Sequence, residues 1–87
     1  MELTDERRAH ILLYHPDMAT FLDRLAEVLR VPDVLRQSTE DPTVLVHYKY
    51  FADILGGKYV AVVVKVDDRR FVLTAYLTRR IRTGRAP

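Results

Sequence analysis

The chain has 87 residues, 48% hydrophobic and 30% charged, with 14 Lys and Arg against 12 Asp and Glu. That length holds one domain, residues 1–87, with one modest core. The absence of cysteine excludes disulfides, zinc knuckles and thiol catalysis, and three histidines, His10, His15 and His47, are a thin basis for a metal centre.

Thr4 is placed to cap a first helix, with Asp5 and Glu6 suited to its positive end. The helix runs to about Tyr14 and stops before Pro16, because a residue preceding proline avoids the helical region. Asp17 is placed to cap a second helix. Its apolar residues Met18, Phe21, Leu22, Leu25, Val28 and Leu29 recur at steps of three and four. After Pro32 the period changes to two. Strands are predicted over Val34–Ser38, Val44–Tyr50, Tyr59–Val66 and Phe71–Thr78. A two-residue turn at Asp68-Arg69 would set Lys65 opposite Val72, Val63 opposite Thr74 and Ala61 opposite Tyr76.

That register predicts one wholly apolar face: Val60, Val62, Val64 and Val66 with Phe71, Leu73, Ala75 and Leu77. Such a face needs a cover, and the two helices are the simplest one. The expected fold is therefore α+β, with two N-terminal helices packed on one face of a four-stranded antiparallel meander. The other face carries Lys65, Arg70, Thr74 and Tyr76. If Val44 and Val46 point to the helices, His47 and Lys49 join it; Arg36 and Ser38 are further candidates for it from the first strand. A sheet covered on one side and polar on the other is suited to binding.

The charge is divided unevenly. Residues 1–43 carry five basic and nine acidic side chains, and residues 44–87 carry nine basic and three acidic. Eleven of the 14 basic residues are arginine, the side chain that forks onto phosphate. Carboxylates are scarce in the second half: Asp53, Asp67 and Asp68, all beside turns. Two-carboxylate glycosidase chemistry is therefore not expected. No phosphate-cradling GxxxxGK[ST] or GxGxxG occurs. No apolar run approaches the ~20 residues of a membrane span, and the N-terminus MELTDERRAHI has charge where a signal peptide is apolar. A soluble, cytoplasmic protein without a membrane partner is expected.

Histidine, cations and hydroxyls without metal or paired acids suit RNA cleavage by its own 2′-hydroxyl. The protein need only orient the strand, move two protons and neutralise phosphoryl charge. Each candidate also has an ordinary reading. His10 fits a helix surface, and His15 fits a helix end. His47 fits cross-strand pairing, and Lys65 fits a surface ion pair with Asp67 or Asp68. Thr74 and Tyr76 are common strand formers. The arginines from Arg79 to Arg85 fit a solvated tail.

The segments LTDERRAHILLYHPDM, VPDVLRQSTEDPTVLVHYKY, KYVAVVVKV and FVLTAYLTRRI together resemble the phage-associated nucleases of the barnase–EndoU–colicin–RelE-like superfamily. The resemblance spans nearly the whole chain. It implies a RelE/barnase-like fold and metal-independent endoribonuclease activity, of the toxin or phage-linked effector type, with no cofactor. The matching positions are His10 and His15, Arg36 and Ser38, Lys65, Thr74 and Tyr76.

His10 is expected as the leading acid or base, Lys65 and Arg36 to neutralise phosphate, Thr74 to orient it or the base, and Tyr76 to stack or assist proton transfer. His15, Ser38, His47, Lys49, Arg70, Arg79 and Arg80 would bind the strand. Expected partners are single-stranded RNA or tRNA, with an antitoxin or immunity protein and a second copy as further partners. The alternatives are a non-catalytic RNA-binding module and a protein-interaction domain.

Overall fold

The computed structural model describes residues 3–82. It contains α1 (Asp5–Tyr14), two 3-10 turns (Pro16–Thr20 and Leu22–Arg24), α2 (Leu25–Arg30), β1 (Val34–Gln37), β2 (Val44–Phe51), β3 (Lys58–Val66) and β4 (Arg70–Thr78). The strands form one antiparallel open sheet in the order β1-β2-β3-β4. The helical layer lies on one face, α1 against β4 and α2 against β2 and β3. No helix among the described residues is long and apolar enough to cross a membrane.

Thr4 caps α1 as expected, its Oγ1 accepting from Arg7 N at 3.2 Å. The second helix departs from expectation. Pro16 opens a 3-10 turn, Asp17 makes no cap, and only Leu25–Arg30 is α-helical. Spacing accords with this: Met18 and Phe21, a step of three apart, suit the three-residue turn of a 3-10 helix. Met18, Leu25 and Val28 are buried with Ile11 against Val60, Val62, Val64, Val72 and Ala75.

The β3–β4 hairpin also differs. Its loop is Asp67–Arg69, three residues rather than two, so Val66 pairs with Arg70 and Lys65 with Phe71. A bulge then restores the predicted register: Leu73 is the extra residue, and Val63 faces Thr74, Val62 faces Ala75 and Ala61 faces Tyr76. Between loop and bulge the faces are exchanged. Val72 enters the core, while Phe71 and Arg70 lie on the opposite faces from those expected. The bulge is held from the helical layer, because Arg7 Nε and Nη2 both donate to Leu73 O, at 2.8 and 2.5 Å.

In β2 the expected parity is reversed. Phe51 and the adjoining Ile54 are core residues, so the odd-numbered side chains Leu45, His47 and Lys49 face the helical layer. Val44, Val46, Tyr48 and Tyr50 face the open side. Leu45, Val46 and Tyr48 could satisfy either parity, and it is the bulk of Phe51 and Ile54 that decides. Lys49 tolerates its position by reaching outward, its Nζ donating to Val31 O at 3.1 Å beside Asp33 at 3.7 Å. On the next connection, Arg24 forks onto Asp53 at 2.6 and 3.2 Å and lies 4.8 Å from the Phe51 ring centroid.

Candidate functional site

The open face is built from cross-strand rows. One row is Val34–Tyr48–Ala61–Tyr76, and the next is Arg36–Val46–Val63–Thr74. Ala61 is the small residue between two tyrosines. Burial, with hydrogen bonding to the Tyr48 hydroxyl across it, pushes the Tyr76 phenol up to about 12. Tyr76 therefore holds its proton more tightly than a free tyrosine and can offer it in a hydrogen bond.

Beside these rings lies a cavity of about 410 Å³. Val44, Val46 and Val63 form its floor, and Tyr48, Tyr76 and Arg82 one side. Arg36 and the run Gln37–Glu40 form the other. Arg36 is held in place by donating from Nη1 to Leu35 O at 3.1 Å, on the outer edge of β1. Neither Arg36 nor Arg82 has a carboxylate partner among the described residues. Glu40 is the one acid in the lining. Ser38 organises the loop beneath it, its Oγ accepting from Glu40 N and Asp41 N at 3.2 and 3.3 Å. Two guanidinium groups with unspent donors, beside two phenols, make a receptor for an anion.

Of the predicted site residues, Arg36, Ser38 and Tyr76 meet at this cavity. His15 approaches it from the end of α1, its ring 5.7 Å from that of Tyr76. His10 makes its ring contact with Tyr14, at 4.8 Å, within its own helix. Lys65 lies on the open face but pairs with Asp41 rather than lining the cavity, Nζ to Oδ2 at 2.8 Å. This pairing and the Thr43 hydrogen bonds hold the Asp41 carboxyl down at about 2. Thr74 stands on the open face with its hydroxyl buried and unpartnered among the described residues.

His47, Lys49 and Arg70 are corrections, since all three occupy the face toward the helical layer. His47 is buried, and that burial lowers its pKa. Arg79 and Arg80 are exposed on the segment after β4, and Arg85 lies outside the described residues. Tyr48 and Arg82 are the residues that sequence reasoning left out of the site. The signal for Tyr48 was available in Phe51, whose bulk sets the parity of β2. Nothing in the sequence marks Arg82 apart from its neighbouring arginines.

Among the described residues, no three His, Asp or Glu side chains gather as a metal site would require. No protein-family model, curated protein or solved structure matches the chain.

Proposed function

We propose that the open-face cavity binds the phosphodiester backbone of unpaired RNA and that the protein is a metal-independent endoribonuclease of RelE/barnase-like type. The observation that carries this reading is the convergence of Arg36 and Arg82, both without carboxylate partners among the described residues, on a cavity walled by Tyr48 and Tyr76. The two guanidiniums would grip the phosphoryl oxygens and offset the charge that grows on them in the transition state. The 2′-oxygen would attack phosphorus as the P–O5′ bond breaks, leaving a 2′,3′-cyclic phosphate and a 5′-hydroxyl. One proton leaves the 2′-oxygen and one reaches the 5′-oxygen. His15, the histidine nearest the cavity, replaces His10 as the leading base. Tyr76, whose phenol is pushed up to about 12, keeps its proton and would hydrogen-bond a phosphoryl oxygen, and the proton taken up by His15 would pass from its imidazolium to the 5′-oxygen.

The test is incubation of the purified protein with tRNA and mRNA in EDTA, with end-group analysis of products. Cyclic-phosphate ends that disappear in Arg36→Ala and fall sharply in His15→Gln support the reading. RNA left intact at high protein concentration rejects it.

A second reading, RNA binding without cleavage, is favoured by one observation. His10 and Lys65 are engaged with Tyr14 and Asp41, which leaves the cavity better supplied with anion donors than with bases. Salt-sensitive binding without any product is its signature.

A further inference from the structure

The chain does not leave the sheet when β4 ends. Thr78 closes the strand on the open face, in the row of Tyr59 and Tyr50. Its hydroxyl accepts from Arg80 N at 3.2 Å and donates to Arg80 O at 3.0 Å, which turns the chain sharply. The chain then returns over the sheet, and Arg82 N donates to the Tyr48 hydroxyl at 3.3 Å. Tyr48 belongs to β2, two strands away from β4. This return explains why Tyr48 is 1% exposed on the side of the sheet that carries no helices.

The segment is lightly held. Its polar anchors among the described residues are the two bonds at Thr78 and the one at Tyr48. Arg79, Arg80 and Arg82 are exposed. It also brings Arg82 to the cavity that already holds Arg36. Two cations facing one cavity repel, and an anion between them turns that repulsion into a bridge. An anion therefore binds the closed arrangement better than an open one, and only such a difference can shift a conformational equilibrium.

We infer that residues 79–82 are a strap that closes over the cavity and is locked by a phosphate shared between Arg36 on β1 and Arg82 on the strap. This inference rests on the phosphate reading of the cavity. Tyr48 is the latch, a positioning residue that holds the strap through its backbone. The arrangement makes the strap and the ligand site one unit: a strand of RNA enters when the strap is lifted and is retained when it is down.

The experiment is amide hydrogen exchange over residues 80–82 of the whole protein. The probe is a fully 2′-O-methylated oligonucleotide, which lacks the attacking hydroxyl, with its binding followed in parallel by fluorescence anisotropy. In the free protein, Tyr48→Phe should speed exchange at Arg82 about five-fold, the factor one lost hydrogen bond implies. Saturating oligonucleotide should slow exchange across the strap about ten-fold or more in the wild type. In Arg36→Ala, saturated at higher concentration, that slowing should be lost.

Unchanged exchange in free Tyr48→Phe overturns the latch whatever the ligand. Binding without slowed exchange overturns the strap and leaves the RNA reading standing. Full slowing in saturated Arg36→Ala shows direct shielding by the oligonucleotide and also overturns the strap. No binding by the wild type overturns both.

Discussion

The Lys65 ammonium lies 2.8 Å from Asp41 Oδ2, and Asp41 Oδ1 also accepts from Thr43 N and Oγ1 at 3.0 and 2.6 Å. One carboxylate therefore ties the β1–β2 loop to itself and to β3. The loop it ties carries Ser38, Thr39 and Glu40, which form one wall of the cavity. Lys65 thus shapes the site from below rather than facing its contents.

Asp41 predicts how the fold responds to acid. Its carboxyl titrates near 3.8 in a free chain and at about 2 here, so the unfolded state takes up the proton first as pH falls. The pair's stabilisation is complete above about pH 4 and is lost as pH falls through about 2. Asp41→Asn should be less stable than wild type at neutral pH, and the gap should close toward pH 2. Urea midpoints measured across that range check it. A gap that stays constant would show that Asp41 acts through the loop's geometry and not its charge.

His47 predicts a second pH dependence, in a different window. The residue is 7% exposed, and Nδ1 has no partner among the described residues. Burial lowers its pKa from 6.5, the Val62 backbone hydrogen bond opposes this, and Arg70 adds to the lowering. The unfolded chain therefore binds this proton more readily. Stability from keeping His47 neutral is complete above pH 6.5 and declines below it, through the folded-state value. His47→Leu keeps the volume and removes the orphaned nitrogen. The variant should lose the decline below pH 6.5, seen as a urea midpoint that overtakes wild type as the solution is acidified.

The layers of the fold were legible in the sequence because they follow from patterning. Val60 to Val66 alternate with Ala61 to Lys65 in a way that admits one covered face. Two features of the sheet escaped, and both are single-residue matters of parity. In β2 both alternating sets contain apolar residues, so only Phe51 and Ile54, at its end, decide which set is buried. In β4 a loop longer by one residue is offset by a bulge at Leu73, and Arg7, 66 positions away, supplies the donors that hold it. The site followed the same division. Arg36 on β1 and Tyr76 beyond the β4 bulge lie on the face expected, and Ser38 reaches the cavity from the loop after β1. His47, Lys49 and Arg70 lie on the face opposite to that expected. Arg82 depends on the path taken after β4, which no periodicity encodes.

Gly57 and Tyr50 are coupled on the β2–β3 connection. Leu55, Gly56 and Gly57 all have positive φ, at 46°, 79° and 106°. A Cβ at Gly57 would collide with the Tyr50 hydroxyl and ring, so the glycine answers both a backbone and a side-chain demand. Gly57→Ala should destabilise the protein by about 1–3 kcal/mol. Tyr50→Ala should relieve the collision but not the backbone strain, so the double variant recovers only part of the loss. A thermal-denaturation cycle measures this, and strict additivity of the two changes would show that Tyr50 simply moves aside.

Arg36 and Arg82 give the most direct test of what the cavity recognises. If each meets a phosphate, each releases counterions on binding, and the logarithm of affinity falls with the logarithm of salt by about 0.7 per phosphate on a single strand. Arg36→Ala and Arg82→Ala should each weaken RNA binding by about ten-fold at moderate salt and make the slope shallower by about 0.7. Arg30, exposed at the end of α2, belongs to the helical layer, and Arg30→Ala should leave both affinity and slope unchanged. Binding measured by anisotropy over a salt series separates these outcomes. Weaker binding with an unaltered slope would mean that the arginines shape the cavity without touching phosphate, and the ligand would then be sought among molecules recognised through hydrogen bonds and stacking against Tyr48 and Tyr76. Equal loss in all three variants would mean that the charge of the whole surface, rather than this cavity, attracts the strand.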